Sequence, residues 1–263
     1  MVIKIYDKAK LAAPSGAAKY YENPLNEMMM LTLLSQYDPN RHIISVIEVF
    51  SDELYYYMVM PYCQGGDVMD LLECHHMRGI SPEEARKVLK HVVLGVNHLH
   101  EKGIAHRDVS VENVVYTPAD DAYMVIDLGL SIHVPSIHGE GQNAHMANTS
   151  VCGKKNYIAP EVWAQHPTID PFRGDVWALG VMLFMLLTGC APMHSSKSTD
   201  AHFDWMCRHG RLADVFEASC RHAQRSAATD YSLALDLIQC MLTADPACRI
   251  GLKEILAHPW MCV

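Results

Sequence analysis

The sequence lacks clustered positive charge, because lysine and arginine never occur more than two in a row. Its 263 residues carry a net charge of −9 at pH 7. Proteins that bind nucleic acids usually present a basic patch or stripe, so this composition argues against nucleic acid as a partner.

Long apolar runs are also absent. The longest, residues 177–187, has about half the length that a membrane-spanning helix requires and contains Gly180. Near the N-terminus, charged residues such as Lys4 and Asp7 interrupt any apolar stretch, so a signal peptide is not expected. We therefore expect no membrane association, and a buried helix over the apolar run.

The nine cysteines include no Cys-x-x-Cys pair. An odd number of cysteines without such spacing is typical of reduced thiols rather than of a disulfide framework. The expected location is therefore the cytoplasm or the nucleus.

Residue patterns divide the chain into a strand-rich beginning and a helical remainder. The predicted strands cover residues 1–6, 43–50 and 53–60, and a helix is predicted over 24–35. Breaker residues in the stretch 61–66 predict a connector. The expected fold is α+β with two lobes, a small strand-rich lobe over 1–60 and a larger helical lobe over 67–263.

Within the second lobe, a helix is predicted from Pro82 to about residue 100, with Ser81 as its cap and Glu84 completing a capping box. Residues 131–151 are polar and without periodicity, which predicts a mobile loop. Beyond residue 170 the pattern is helical.

Residues 106–113 place Asp108 and Asn113 five positions apart on a short predicted loop. Phosphoryl transfer needs a carboxylate that orients or deprotonates a hydroxyl and an oxygen ligand for magnesium. Six further short motifs lie at residues 2–4, 125–129, 159–161, 174–180, 245–250 and 258–260. Together with residues 106–113, these motifs and their order along the chain resemble the signature set of the eukaryotic protein kinases, serine/threonine type, over nearly the whole chain.

The resemblance implies roles for the polar residues. Asp108 would orient the substrate hydroxyl and accept its proton. Asn113 and Asp127 would hold magnesium through the hard oxygen ligands that this ion prefers. Lys4 would bind the α- and β-phosphates of ATP, with Glu27 as its ion-pair partner.

The nucleotide base is expected at the connector. The resemblance implies that Met60 is the gatekeeper, that the Pro61 carbonyl and the Cys63 amide hydrogen-bond adenine, and that Val115 also contacts the nucleotide. Asp67 is expected near the ribose or a basic substrate residue, with a helix N-cap as an equally favoured alternative.

Other matches imply structural roles. Leu128 stands where the family has phenylalanine, and it is expected to pack under the helix that carries Glu27. Glu161 and Arg249 are expected to form a buried ion pair. Asp175 is expected to accept hydrogen bonds from the backbone of the loop that carries Asp108.

One departure from the family concerns the catalytic loop. The family usually has a lysine two residues after the catalytic aspartate and a threonine after the glycine that precedes the Ala-Pro-Glu motif. Here these positions hold Ser110 and Lys154. We hypothesise an exchange in which Lys154 neutralises the γ-phosphate while Ser110 hydrogen-bonds Asp108, and the alternative is simple loss of the lysine with Lys154 solvated.

A second departure is that only three residues precede Lys4, so the family's glycine-rich loop has no counterpart. The small sheet is expected to have three strands and an uncovered edge, and Val2 is expected to crowd the adenine site. The chain is then either an N-terminally incomplete copy of an active enzyme or a natural short form that binds nucleotide poorly and serves as a scaffold.

The implied activity is transfer of the γ-phosphoryl group of Mg-ATP to serine or threonine of other proteins. The Ala-Pro-Glu element at 159–161 disfavours a small-molecule kinase. Glu112, and to a lesser extent Asp67, would favour substrates with basic residues before the target hydroxyl. Ser150 or Thr149 is the expected phosphosite, with Arg107 as the cationic partner, unless the loop is unmodified.

Overall fold

The structure is a computed structural model that describes residues 1–12, 23–134, 146–147, 151–223 and 231–263. The beginning of the chain forms an antiparallel sheet of β1 (Val2–Asp7), β2 (Glu48–Ser51) and β3 (Tyr55–Met60), in the order β1-β3-β2. Helices α1 (Lys8–Ala12) and α2 (Pro24–Tyr37) follow β1. Within the described residues β1 is an edge strand, as the sequence predicted.

The predicted strand over 43–50 is wrong in its first half, since β2 begins only at Glu48. Ile43 and Ile44 are buried but contact the larger lobe instead. Ile43 forms a parallel bridge with Val125, and the Ile44 amide donates to the Val125 carbonyl at 3.0 Å. The apolar character that suggested a strand therefore serves the junction of the two lobes.

The larger lobe is mainly helical. Its helices are α3 (Val68–Cys74), α4 (Pro82–Glu101), α5 (Pro160–Trp163), α6 (Pro171–Thr188), α7 (Ala201–Phe203), α8 (Leu212–His222), α9 (Ser232–Met241), α10 (Leu252–Ala257) and α11 (Pro259–Cys262), with a π-helical turn at Asp204–Arg208. Short strands pair as β4 (Ile104–Ala105) with β7 (Ile132–His133), β5 (Val114–Thr117) with β6 (Ala122–Val125), and β8 (Met146–Ala147) with β9 (Thr168–Ile169). A 3-10 helix, Val111–Asn113, leads into β5. The expected two-lobed α+β fold is confirmed.

Two hydrophobic cores hold the lobes. Helix α6 is the centre of the larger core, where Trp177 and Phe184 are fully buried. Each such side chain contributes about 1.5–3 kcal/mol relative to exposure. By length and composition α6 is the one helix among the described residues that could cross a membrane, but 83% of it is buried inside the protein, as expected for a core helix.

Helix α4 begins as the sequence predicted, with the Ser81 hydroxyl accepting a hydrogen bond from the Glu84 amide at 3.2 Å. The predicted capping box is wrong in its second half. The Glu84 carboxylate accepts instead from the Tyr123 hydroxyl, because that side chain lies on the neighbouring strand β6. The predicted loop over 131–151 falls largely outside the described residues, but its described parts include the short strands β7 and β8, which the sequence did not predict.

A pair of histidines, His42 buried and His91 half-buried, lies where α4 meets the junction of the lobes. The rings of His42 and His91 are 4.5 Å apart, and His91 Nδ1 accepts a hydrogen bond from the Tyr123 amide at 3.1 Å. Burial and, to a smaller extent, the positive charges of His42, Lys87 and Arg41 together lower the pKa of His91 from 6.5 to about 4. His91 is therefore neutral in the folded protein at pH 7.

Acidification should destabilise the fold through His91. Its folded pKa lies below its unfolded pKa, so between pH 6.5 and pH 4 the unfolded chain binds the proton more readily and stability falls as the pH falls. After allowance for solvent screening, we expect His91 to account for about 1 kcal/mol of the loss between pH 7 and pH 5. Urea unfolding at both pH values measures it.

The control for this prediction is His91→Asn, which keeps an acceptor for the Tyr123 amide but does not titrate in this range. Titratable groups that do not interact with His91 contribute equally to both proteins, so the difference reports His91 together with its coupling to His42. If the wild type and His91→Asn lose the same free energy of unfolding between pH 7 and pH 5, the prediction is wrong.

Candidate active site

The loop that carries Asp108 is anchored by the buried carboxylate of Asp175 in α6. Asp175 accepts hydrogen bonds from the backbone amides of His106 and Arg107, both at 2.8 Å, and from His100 Nε2 at 2.8 Å. Burial opposes ionisation, but the His100 contact and these amides outweigh it and lower the pKa of Asp175. The predicted contact of Asp175 with this loop is confirmed, whereas His100 was not predicted.

Arg107 has a left-handed backbone, with φ of 67°. Such a conformation costs a non-glycine residue about 1–3 kcal/mol and persists only where surrounding contacts enforce it. The two amide bonds to Asp175 supply that enforcement and set the direction in which the next residue, Asp108, projects.

The imidazole of His106 connects this loop to the strand that ends before Asp127. His106 Nδ1 accepts from the Asp108 amide at 3.2 Å, and Nε2 donates to the Ile126 carbonyl at 3.0 Å. The ring is fully buried. Both bonds are satisfied at once only by the neutral ring with its proton on Nε2.

The Asp108 carboxylate is held by two neighbours. Asn113 Nδ2 donates to the backbone carbonyl and to Oδ2 of Asp108, both at 2.8 Å. From the segment before α5, the Lys154 amide donates to Oδ1 at 2.9 Å, and Lys154 Nζ lies 3.2 Å from Oδ2. The Asp108 side chain is 15% exposed, so it is oriented but accessible.

Asn113 and Asp127 come together through the β5–β6 hairpin. Val114 pairs with Val125, and the Ile126 amide donates to the Asn113 carbonyl at 3.0 Å. Asp127 is thus one residue beyond the position opposite Asn113. Its left-handed φ of 66° is a second strained position at this site.

These two residues fit magnesium by their chemistry. The side-chain nitrogen of Asn113 donates to Asp108, and its side-chain oxygen Oδ1 takes part in none of the described hydrogen bonds, so Oδ1 can bind a metal ion; Asp127 supplies a carboxylate. Magnesium is usually held by one or two carboxylates together with waters and substrate phosphates. The part of the chain that the structure describes contains no cluster of three or more His, Cys, Asp or Glu side chains suited to a metal ion.

Lys4 lies between two carboxylates. Its Nζ is 2.7 Å from Glu27 Oε1 and 3.6 Å from Asp127 Oδ2. Glu27 is 3% exposed and also accepts from the Tyr6 hydroxyl at 2.7 Å. The predicted Lys4–Glu27 ion pair is therefore confirmed. Tyr6 was missed, although it lies two residues after Lys4 on the same face of β1.

Contacts with the residues after Asp127 hold α2, the helix of Glu27, in place. The Asn23 amide donates to the Gly129 carbonyl at 2.8 Å, and Asn26 Nδ2 donates to the Ser131 carbonyl at 3.1 Å. Leu128 is fully buried in the core cluster that includes residues of α2, as the sequence predicted.

A cleft opens between the sheet and the larger lobe. The predicted nucleotide-binding residues all line it, namely Lys4, Met60, Pro61, Cys63, Asp67 and Val115. Ile44 and Ile126 line it too and were not predicted, because an apolar side chain gives no sequence signal for a ligand. Burial raises the pKa of the Cys63 thiol.

Asp67 takes the alternative role that the sequence left open. It is the N-cap of α3, with Oδ1 accepting from the Asp70 amide at 2.8 Å and the Asp67 amide donating to Asp70 at 3.1 Å. The connector beside it is tied to β5, since the Tyr116 amide donates to the Gly66 carbonyl at 2.9 Å. Gly65 must lack a side chain, because a β-carbon there would lie 2.5 Å from the Tyr116 ring.

Lys154 reaches the catalytic loop, as hypothesised, but the predicted partner of Ser110 is wrong. Among the described hydrogen bonds, the Ser110 hydroxyl accepts from Lys154 Nζ at 2.9 Å and makes no bond to Asp108. The Lys154 ammonium lies between the side chains of Ser110 and Asp108 and bridges them, in place of the predicted direct hydrogen bond. Thr149 and Ser150 lie outside the described residues.

The predicted ion pair of Glu161 and Arg249 is confirmed. Arg249 Nη1 and Nη2 contact the two carboxylate oxygens of Glu161 at 2.9 and 3.0 Å. The Arg249 side chain is fully buried. The pair joins α5 to the segment before α10.

Comparison with known proteins gives a consistent result. The family model described as "Protein kinase domain" matches residues 1–261. The human protein named serine/threonine-protein kinase H1 is 32% identical over 222 residues, which are 84% of this chain and 48% of that protein. The MAP kinase-interacting serine/threonine-protein kinase 1 of Xenopus tropicalis is 28% identical over 240 residues, 87% of this chain and 57% of that protein. The chain thus spans about half the length of the curated relatives it matches.

Proposed function

We propose a function on the premise that the chain belongs to the protein kinase domain family. The proposed activity is transfer of the γ-phosphoryl group of ATP to serine or threonine hydroxyls of other proteins. The observation that carries the proposal is that Lys4 lies within ion-pair distance of both Glu27 and Asp127. A lysine fixed in this way presents one ammonium to nucleotide phosphates beside a metal-binding carboxylate.

Asp108 is the proposed acceptor of the hydroxyl proton. Its carboxylate is held by Asn113 and Lys154 and remains partly exposed, so a substrate hydroxyl can approach an oriented base. Magnesium held by Asn113 and Asp127 would neutralise phosphate charge when bound. The names of the relatives support serine and threonine as acceptors.

Glu112 supports a preference for basic substrates. Its Oε2 atom is buried and has no hydrogen-bond partner among the described residues, and the residue lines the cleft. A buried carboxylate oxygen without a partner is unfavourable unless a cation or donor approaches it. An arginine or lysine of the substrate would provide that group.

The second candidate function is a scaffold that binds nucleotide weakly. The observation in its favour is that β1 is an edge strand within the described residues, so Val2, a residue of the cleft wall, is 39% exposed. A cleft open on this side buries less of a bound adenine, which weakens binding.

The test combines transfer and binding. The purified chain is incubated with radiolabelled ATP, magnesium and matched serine peptides with and without an arginine before the acceptor. Its melting temperature is measured with and without Mg-ATP. We expect label on serine, a faster rate for the arginine peptide, and an increase in melting temperature.

A cooperative melt with no transfer and no shift by Mg-ATP would reject the enzyme and support the scaffold. A positive result with equal rates for both peptides would keep the enzyme but reject the role of Glu112. Phosphate on tyrosine alone would reject the proposed acceptor class.

A further inference from the structure

The nearest cation to Asp108 in the described residues comes from outside its own loop. Lys154 Nζ lies 3.2 Å from Asp108 Oδ2 and 2.9 Å from Ser110 Oγ. Ser110 is fully buried, so the ammonium is held against a fixed hydroxyl rather than extended into solvent. The solvated alternative for Lys154 does not agree with these contacts.

The backbone places this lysine through a close approach that requires glycine. Gly153 has φ of +92°, and a β-carbon on it would lie 2.7 Å from the Arg107 carbonyl oxygen. The following amide, of Lys154, then donates to Asp108 Oδ1. Further along, the Val111 amide donates to the Tyr157 hydroxyl at 3.3 Å. The segment therefore contacts the catalytic loop at both of its ends.

Charge on the other side of the site is already paired. Lys4 is held by Glu27 and Asp127, on the nucleotide side. On the side where the substrate hydroxyl would bind, the ammonium of Lys154 is the cation that contacts Asp108 among the described residues. A hydroxyl that loses its proton to Asp108 must lie beside that carboxylate, and the phosphoryl group that it attacks must lie next to the hydroxyl.

The geometry points to Lys154 as a catalytic residue that contacts the transferred phosphoryl group, with Ser110 as the positioning residue that holds its ammonium. This inference rests on the proposed function. In the step, the substrate oxygen forms a bond to the γ-phosphorus, and the bond from that phosphorus to the bridging oxygen breaks. The electron pair leaves with ADP, and the hydroxyl proton passes to Asp108. Lys154 neutralises the charge on the phosphoryl oxygens.

The test uses Lys154→Met with Lys155→Met as its matched control, since Lys155 is the exposed neighbour on the same segment. We expect Lys154→Met to lower kcat about 100-fold or more, while Lys155→Met retains wild-type kcat. Independently of turnover, the ratio of Mg-ADP to Mg-ATP dissociation constants, measured by calorimetry, should fall at least threefold in Lys154→Met, because only ATP carries the γ-phosphate.

The exchange variant, Ser110→Lys with Lys154→Ser, returns the ammonium to the catalytic loop. It should recover at least a tenth of wild-type kcat, which a purely structural role of Lys154 does not predict. Melting temperatures of all variants separate misfolding from loss of chemistry.

The outcomes separate the two proposals. Wild-type kcat in Lys154→Met, or an unchanged ratio of nucleotide affinities in that variant, would overturn the inference and leave the kinase assignment intact. Absence of transfer by the wild type would overturn the proposed function instead. A folded exchange variant as inactive as Lys154→Met would also overturn the inference.

Discussion

Asp108→Asn is expected to lower kcat for phosphoryl transfer by a factor of about 10²–10⁴. The asparagine amide has nearly the shape of the carboxylate but cannot accept the hydroxyl proton. Binding of Mg-ATP should change little, because Asp108 is not among the residues that line the nucleotide cleft. Transfer to a serine peptide measures kcat, and the thermal shift with Mg-ATP measures binding.

The matched control is Asp120→Asn, which makes the same chemical change at an exposed position and should leave both quantities unchanged. Asp108→Asn also replaces one of the two carboxylate oxygens that accept from the Lys154 amide and ammonium by an NH2 group, so the melting temperature must be measured as well. A folded Asp108→Asn protein with more than about a tenth of the wild-type kcat would show that another group takes the proton.

The sequence predicted best those contacts that local pattern and motif order determine together. The resemblance pairs Lys4 with Glu27, and local pattern places each of them on a regular element, a β-prone segment and a helix. Asn113 and Asp127 were predicted as neighbours by their motifs, and the β5–β6 hairpin register gives the physical reason. Asp175 lies on a helix that the apolar run predicted well.

The failures concern contacts between residues that are far apart in sequence. His100 hydrogen-bonds Asp175, which is 75 positions away in the sequence. The Tyr123 hydroxyl donates to the Glu84 carboxylate, which is 39 positions away. No local pattern encodes such pairs, because they depend on how helices and strands pack. For the same reason, the sequence predicted a strand at Ile43 and Ile44, although these residues pair only with Val125 at the end of β6. Lys154 was predicted to reach the loop, but its bond to Ser110 depends on the exact course of the Gly153 turn.

Arg249→Met is expected to destabilise the fold by about 3–5 kcal/mol. The change leaves the Glu161 carboxylate, 8% exposed, without its cation. It also removes donors from the carbonyls of Arg173, at 2.6 Å, Thr243, at 3.0 Å, and Ala244, at 3.3 Å. Since domains are typically stable by about 5–15 kcal/mol, this single change approaches the whole margin. Urea unfolding measures it.

Two further variants test the physical cause. Arg221→Met breaks an exposed i,i+4 pair with Glu217 and should cost less than about 0.5 kcal/mol. The double variant Arg249→Met with Glu161→Gln removes both charges, so it should be more stable than Arg249→Met alone, because the uncompensated buried charge is gone. It should remain less stable than wild type, since the three backbone carbonyls still lack their donors. If Arg249→Met were no less stable than Arg221→Met, the Glu161–Arg249 ion pair would not stabilise the packing of α5 in the larger lobe.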